Sequence, residues 1–301
     1  MKVINSLKLR GQTDKKTSVA LGSFDALHKG HLAVIGRTVS HAKNNDMASV
    51  VQLFEAPNIL SKSNTSSINS LQKRLKILEE LDVDFALVER FDEEFRKISY
   101  QDFAEEYLKN YYNAAAVFAG ENYRFGHLAK GTAKELVVEC KKHGIKAEIV
   151  SCIKDTDVIS STNIRQLIEL GNVEKAAEHM TRPYSVSGEV VHGKELGRKI
   201  SFPTANIEVP CGIVLPKDGV YVTRVILDEG IFFGITNVGA KPTVAENERN
   251  IETHISDFKG DIYGKTIEVE FLKRLRDIKK FDTLNDLKHQ LEEDKKNIQK
   301  I

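Results

Sequence analysis

The sequence predicts an α/β domain built on a doubly wound parallel sheet, followed by an antiparallel β-barrel domain with a terminal helix. The length of 301 residues is typical of two domains. Strand-like and helix-like apolar patterns alternate in the first half of the chain, as in parallel βαβ units. After about Pro183, short strand-like segments follow one another without helices between them, which favours an antiparallel barrel or sandwich. The predicted domains are therefore residues 1–182 and 183–301.

The elements of the first domain follow from the spacing of its apolar residues. Short apolar strands are predicted at residues 17–21, 49–54, 85–88, 114–119 and 145–150. Leu32, Ile35 and Val39 recur at helical spacing after the first strand, and similar patterns predict helices over 71–81 and 134–143. Two short helices, at 164–170 and 173–180, close this domain.

The elements of the second domain are mostly strands. They are predicted at residues 186–191, 221–227, 231–236 and 265–271, with turns rich in Gly, Pro and Asp between them. A terminal helix is expected after Thr283, because Thr283 and Asp286 have the spacing of a capping box.

Composition excludes several classes of protein. Lys and Arg total 44 and Asp and Glu total 43, so the net charge of +1 gives no dominant field for nucleic acid. The longest apolar run, residues 114–119, is far shorter than the roughly 18 residues of a membrane helix. The first eleven residues lack the apolar stretch of a signal peptide, and the three cysteines have no CxxC spacing. We expect a cytoplasmic protein without nucleic-acid or membrane partners; the sequence predicts no oligomeric state.

The first predicted strand runs into a motif with two histidines. Gly22 ends the strand, and a residue without a side chain lets a ligand approach the strand end where open α/β sheets bind ligands. His28 and His31 are three residues apart at the start of a predicted helix, with Gly30 between them and Asp25 before them. A helix N-terminus attracts phosphate, and two imidazoles could neutralise charge that develops there. This placement favours a nucleotide site over a surface cluster.

A second motif, Ile-Ser-Ser-Thr-Asn-Ile-Arg, closes the first domain. Ser160, Ser161 and Thr162 are natural N-cap residues, which alone would explain two of them. Arg165 lies on the first predicted turn and would point back toward the same phosphates as a charged donor. Beside the two histidines, this segment is predicted to be the second half of a triphosphate clamp.

The second domain contains a glycine-flanked loop followed by Phe-Pro-Thr-Ala-Asn. The loop includes Gly193, Gly197 and Arg198, and the oxygen donors Thr204 and Asn206 follow it. Such oxygens suit Mg²⁺ bound together with phosphates. On residue chemistry alone, however, residues 202–206 are typical of a turn.

The motifs of the first domain resemble the nucleotidyltransferase superfamily, and within it the adenylyltransferase half of prokaryotic FAD synthetases. That family begins with GxFDGxHxGH, so the resemblance adds Phe24 to the nucleotide site, and Ala26 replaces the usual glycine. Its DFxFG segment is similar to Asn122-Tyr-Arg-Phe-Gly126, which implies that Asn122, Arg124 and Phe125 bind flavin. Its FxPxP segment is similar to residues 54–57, which lack the first proline.

The motifs of the second domain resemble riboflavin kinases, for which the PTAN sequence is close to diagnostic. The resemblance implies that Thr204 and Asn206 meet the metal and nucleotide, and that Glu252 is the general base on the ribityl hydroxyl. Two residues depart from the family pattern: Ser201 replaces a glycine, and Ile278 replaces the carboxylate of an LRxE segment.

Together the resemblances imply a Rossmann-like adenylyltransferase domain and a riboflavin kinase barrel, a bifunctional enzyme of FMN and FAD biosynthesis. ATP would be the co-substrate of both sites, riboflavin and FMN the flavin substrates, and Mg²⁺ the cofactor. Three alternatives remain open at this point. They are a monofunctional FMN adenylyltransferase with an inactive barrel, another HxGH transferase such as a pantetheine-phosphate or cytidylyl enzyme, and a flavin-sensing or RNA-binding regulator.

Overall fold

A computed structural model describes residues 1–5, 9, 11–55, 66–151, 159–193, 202–240 and 249–300. The chain divides into two compact units, Met1–Ser161 and Thr162–Ile301. The division falls before the two short helices that the sequence assigned to the first domain, and the boundary at residues 182 and 183 stays a prediction. In the described part of the chain, no helix is long and apolar enough to cross a membrane.

The first unit is built on a six-stranded, all-parallel sheet with the order β1-β4-β3-β2-β5-β8. Its strands are β1 (Lys2–Asn5), β2 (Thr17–Leu21), β3 (Ala48–Phe54), β4 (Phe85–Glu89), β5 (Ala114–Gly120) and β8 (Lys146–Val150). Between the last two, β6 (Arg124–Phe125) and β7 (Gly131–Thr132) form a small antiparallel pair. The five predicted strands are confirmed, and the edge strand β1 adds a sixth that the sequence did not indicate.

Helices cover both faces of this sheet. They are α1 (Lys29–Asn44), α2 (Leu71–Glu80), α3 (Glu93–Lys97), α4 (Tyr100–Asp102), a π-helix over Phe103–Tyr111, and α5 (Ala133–Lys142). Alternate residues of each strand enter two separate apolar layers: Val19 packs with Leu136 on one face, and Ala20 packs with Ile35 on the other. The doubly wound parallel fold is therefore confirmed.

A small polar network lies inside the apolar layer that contains Leu136. The Tyr112 hydroxyl donates to the Glu89 carboxylate, and Gln52 Nε2 donates to the same hydroxyl at 3.1 Å. All three side chains are buried. Burial and the neighbouring Glu89 charge raise the pKa of Tyr112 well above its ordinary value, so the phenol stays a donor.

The second unit is a closed antiparallel barrel with the order β10-β13-β12-β11-β14-β9, in which β9 also pairs with β10. Its strands are β9 (Tyr184–Val191), β10 (Thr204–Glu208), β11 (Gly219–Leu227), β12 (Gly230–Ala240), β13 (Arg249–Ile255) and β14 (Thr266–Arg276). Helices α6 (Ser161–Glu169) and α7 (Val173–Met180) precede the barrel, and α8 (Leu284–Lys296) follows it. The predicted barrel with a terminal helix is confirmed.

Two details of the barrel correct or extend the sequence predictions. Residues 202–206 are typical of a turn on residue chemistry alone, but Thr204 and the residues after it form strand β10, because the barrel supplies partner strands on both sides. Strand β13 was not predicted at all. The predicted cap of α8 is confirmed, since Thr283 accepts a hydrogen bond from the Asp286 main-chain N–H at 3.2 Å.

Candidate functional site

The sheet of the first unit has a crevice where its strand order reverses. Strand β2 pairs with β3 on one side and with β5 on the other, and Leu21 lies opposite Ala119. The loops after these two residues therefore leave the same edge of the sheet side by side. Ligands of doubly wound sheets bind at such a point, outside the carboxyl ends of the strands. In this chain, the histidine motif follows β2 and Asn122 follows β5 at this point.

The loop from Gly22 to His28 has a strained and closely packed backbone. Phe24 and Leu27 have positive φ angles of 46° and 47°, and both are fully buried. Left-handed conformations of non-glycine residues are costly and often mark functional sites. A Cβ on Gly22 would lie 2.9 Å from the Phe24 ring, which explains the glycine. Ala26 is not among the residues with positive φ, so replacing the family's glycine there costs no backbone strain.

The two histidines form a stacked pair at the N-terminus of α1. Their ring centroids are 3.8 Å apart with an angle of 16° between the planes. His28 is the N-cap residue: its Nδ1 accepts a hydrogen bond from the His31 main-chain N–H at 3.3 Å. Because Nδ1 is an acceptor, the neutral His28 ring carries its proton on Nε2, as a donor. The Phe24 ring meets the His31 ring edge-on, with centroids 5.2 Å apart.

Asp25 ties this loop to the segment that precedes α2. Its buried carboxylate accepts hydrogen bonds from the main-chain N–H groups of Ile68 and Asn69, at 2.9 and 3.4 Å. Asn69 Nδ2 donates a hydrogen bond to the Asp25 carbonyl oxygen at 2.7 Å. These bonds hold the histidine loop in place, and the predicted nucleotide contact of Asp25 stays a prediction.

A buried arginine, Arg74 of α2, supports the neighbouring strand end. It donates to the carbonyls of Phe54 and Glu55, at 2.8 and 3.0 Å. Burial lowers the pKa of Arg74 to about 10, whereas the charge of Asp25 raises it. The guanidinium therefore remains charged near pH 7 and fixes the end of β3 beside the crevice.

The predicted flavin-binding residues have different surroundings. Asn122 lies in the loop after β5, beside the crevice, and a Cβ on Gly120 would be 3.3 Å from its Oδ1. Arg124 is exposed on β6, whereas the Phe125 ring is buried in the apolar layer and stacks on Tyr123 with centroids 5.5 Å apart. A flavin contact of each remains a prediction.

The second predicted clamp motif spans the division between the units. Ser160 belongs to the first unit and precedes α6, which begins at Ser161. Thr162 and Arg165 belong to the second unit, Thr162 exposed and Arg165 half-buried. Their contacts with phosphate stay predictions.

The barrel brings the predicted metal ligands and the predicted base together. Strand register places Asn206 of β10 opposite Glu252 of β13, and Thr204 opposite His254. Alternate residues of a strand share a face, so Thr204, Asn206 and Glu252 lie on the same face of the β10–β13 pair. His254 Nδ1 lies 3.0 Å from the Pro203 carbonyl oxygen, and burial lowers the pKa of this histidine.

A residue that the sequence did not single out, Asn250, links two of these groups. Its Nδ2 donates to Asn206 Oδ1 at 3.1 Å and to Glu252 Oε1 at 2.9 Å. The only local signal is its position two residues before Glu252 on one strand. Gly193 also lies close to Asn206, since an added Cβ on Gly193 would be 2.0 Å from the amide Nδ2.

A cavity of about 260 Å³ adjoins Thr204 and reaches Tyr263, on which His192 stacks with ring centroids 3.9 Å apart. Ile278, which replaces the family's carboxylate, packs over Gly239 of β12, since a Cβ there would be 2.7 Å from Ile278 Cδ1. The predicted nucleotide-binding residues Gly197 and Arg198, and the replaced position Ser201, lie outside the described residues.

The oxygen atoms of Thr204, Asn206 and Glu252 are suitable ligands for Mg²⁺. Among the described residues, no group of three His, Cys, Asp or Glu side chains could hold an ion by itself. Hydroxyl and amide oxygens on Thr204 and Asn206, with the Glu252 carboxylate near, suit Mg²⁺, which keeps waters and binds largely through substrate phosphates.

Comparison with known proteins agrees with this two-part organisation. A family model described as FAD synthetase matches residues 10–163, and one described as riboflavin kinase matches residues 180–301. The bifunctional riboflavin kinase/FMN adenylyltransferase of Haemophilus influenzae is 32% identical over 299 residues, covering 98% of this chain and 97% of the relative. That of Escherichia coli K12 is 32% identical over 301 residues, covering 98% and 96%.

A solved structure extends the likeness to the fold of the whole chain. It is described as a macrolide-efflux protein from Streptococcus pneumoniae, and it is 33% identical with a TM-score of 0.89, covering 98% of each chain. The two family models confirm the predicted FAD synthetase and riboflavin kinase identities and do not favour a monofunctional enzyme. By these matches and by near-complete overlap with its relatives, the chain belongs to the family of bifunctional riboflavin kinase/FMN adenylyltransferases.

Proposed function

We propose that the second unit transfers the γ-phosphoryl group of ATP to riboflavin, giving FMN and ADP, and that the first unit transfers AMP from ATP to FMN, giving FAD and pyrophosphate. The assignment of adenylyl transfer to the first unit rests on the stacked pair of His28 and His31 at the N-terminus of α1. The assignment of phosphoryl transfer to the second unit is supported by the position of Thr204, Asn206 and Glu252 on one face of the β10–β13 pair.

Adenylyl transfer needs no covalent enzyme intermediate. The FMN phosphate is already an anionic nucleophile: its oxygen attacks the α-phosphorus of ATP, and the bond to pyrophosphate breaks. Catalysis is then positioning and charge stabilisation. His28 presents Nε2–H as a donor because its Nδ1 caps the helix, and His31 lies against it. The positive end of the α1 helix dipole favours phosphate at the same place. Arg165 is included as a predicted further donor.

Phosphoryl transfer in the barrel depends on a base. Glu252 takes the proton of the ribityl hydroxyl as that oxygen attacks the γ-phosphorus, and ADP leaves. Thr204 and Asn206 would hold Mg²⁺, whose charge offsets that of the phosphates. The cavity beside Thr204 offers space for a substrate.

We further propose that the enzyme works in the cytoplasm and has no nucleic-acid partner. Its near-neutral charge supports the absence of a nucleic-acid partner, and cysteines without CxxC spacing suit the reducing cytoplasm.

Product analysis tests both reactions in one chain. With ATP and Mg²⁺, we expect riboflavin to yield FMN and then FAD, and FMN to yield FAD, with both reactions stopped by chelation of Mg²⁺. His31→Ala should lower FAD formation by about 10²–10³-fold and leave FMN formation intact. Glu252→Gln should lower FMN formation by about 10²–10⁴-fold and leave FAD formation from FMN intact. Loss of the opposite activity in either variant would refute the assignment of sites to units.

A further inference from the structure

We propose that Asn250 is a positioning residue of the kinase site, which holds the Asn206 amide and the Glu252 carboxylate in one fixed arrangement. The inference rests on the proposed function of the second unit, in which Asn206 faces the metal and Glu252 accepts the substrate's proton. Asn250 would act through these two side chains, both of which it contacts.

The contacts of Asn250 use one nitrogen atom twice. Its Nδ2 lies 3.1 Å from Asn206 Oδ1 and 2.9 Å from Glu252 Oε1. An amide nitrogen has two hydrogens, so both are committed to these bonds. If the Asn250 amide were flipped, its oxygen would face two other acceptor oxygens and could bond to neither. The neighbouring groups therefore fix the orientation of Asn250, and Asn250 in turn fixes theirs.

Asn206 has two close neighbours. The main chain of Gly193 lies so close that an added Cβ would be 2.0 Å from Nδ2 of Asn206. Asn250 donates a hydrogen bond to its Oδ1. A carbonyl oxygen has two acceptor sites, and this bond uses one, so the other remains available to a cation.

Strand register explains why Asn250 reaches both groups. Asn206 pairs with Glu252, and Asn250 lies two residues before Glu252 on β13, hence on the same face. Diagonal neighbours across strands are within reach of side chains of this length. The bridge therefore reduces the number of rotamers open to Asn206 and Glu252, so that less ordering of these side chains is needed during the reaction.

This role predicts a change in turnover more than in flavin binding. Asn250→Ala, and Asn250→Asp, which keeps the shape but removes the donor, should both lower kcat for riboflavin phosphorylation by about 10–100-fold. The KM for riboflavin should change little. FAD formation from FMN, in the other unit, should be unchanged in both variants. Asn285→Ala, an exposed asparagine on α8, is the matched control and should keep full kinase activity.

Nucleotide binding without turnover gives a second readout. Calorimetry measures how much Mg²⁺ increases the affinity for ADP. Both Asn250→Ala and Asn206→Ala should reduce this gain, and the double variant should lose no more than Asn206→Ala alone, since Asn250 acts through Asn206. The first unit is identical in all these variants, so differences between them report the barrel.

Two results would overturn the inference: native kcat in Asn250→Asp, or fully additive losses of ADP affinity in the double variant. Glu252→Gln separates this failure from that of the proposed function. If Glu252→Gln keeps kinase activity, the role of Glu252 is wrong. If it is inactive while the Asn250 variants turn over normally, only the positioning role is wrong.

Discussion

His28 combines two roles on different ring atoms, and one pair of substitutions separates them. Its Nδ1 caps α1 by accepting the His31 N–H, whereas its Nε2–H is the proposed donor to phosphate. His28→Asn keeps an N-cap acceptor, because asparagine is among the preferred N-cap residues, but has no atom at the position of Nε2. His28→Ala removes both the cap and the donor.

The two losses have different sizes. Removing an N-cap acceptor costs about 1 kcal/mol, and for a domain of about 150–250 residues that lowers Tm by roughly 2–4 °C. Removing one charge-stabilising donor lowers the rate by about 10²–10³-fold. We therefore expect His28→Ala to lower both the Tm of the first unit and the rate of FAD formation. His28→Asn should lower only the rate.

The assay measures FAD formation from FMN and ATP by chromatography, and thermal unfolding by circular dichroism. Riboflavin phosphorylation by the same samples is the internal control and should stay at the native rate. Native FAD formation in His28→Asn would refute the role of Nε2. A native Tm in His28→Ala would refute the role of Nδ1 as a cap.

The remaining predictions concern stability, packing and pH. Tyr112→Phe removes the hydroxyl that donates to the buried Glu89 carboxylate and accepts from Gln52, and it should lower the free energy of unfolding by about 1.5–3 kcal/mol, measured in urea. Gly193→Ala should lower kinase turnover at least about 10-fold, because its Cβ displaces the Asn206 amide, and should leave FAD formation unchanged. Burial lowers the pKa of His254, so the unfolded chain takes up its proton first, at the ordinary value near 6.5. The unfolding free energy of the barrel should therefore decrease as the pH falls from 7.5 to 5.5, and less so in His254→Gln.

Matched variants control these predictions. Tyr111 is half-buried beside Tyr112, and Tyr111→Phe should be nearly neutral; an equal loss in both would contradict the role of the network. Gly36→Ala, where a Cβ meets no atom within 4 Å, should keep both activities. Full kinase activity in Gly193→Ala would show that the Asn206 amide moves without cost. An unchanged pH dependence in His254→Gln would assign that dependence to other groups.

Central strands that are buried on both faces are among those that the sequence predicts. β2 is buried at every residue and β5 is a nearly continuous apolar run, because a central parallel strand packs against helices above and below. The histidine motif was also predictable in place, since its glycine and its spacing mark a strand end and a helix start. In each case the cause is local, so a single segment contains the signal.

Features that depend on distant partners were not predictable in this way. β1 has only exposed or half-exposed side chains, and it is a strand because β4 offers it a parallel edge. The PTAN segment becomes a strand because β9 and β13 flank it. The bond from Asn250 to Asn206 follows from strand register, which no local pattern reveals.

Closure of the barrel makes the order of synthesis matter. β9 is the barrel's first strand along the chain, and its partners are β10 and β14, the last strand. All strands of the parallel sheet, in contrast, have been made once β8 ends at Val150. Domains generally fold from the N-terminus during synthesis on the ribosome. The parallel sheet can therefore assemble before β14, the partner of β9, has been synthesised. During that interval β9 presents an unpaired edge, the kind of surface from which aggregation starts. A chain that ends before Thr266 would therefore keep a complete parallel sheet beside an open, association-prone barrel.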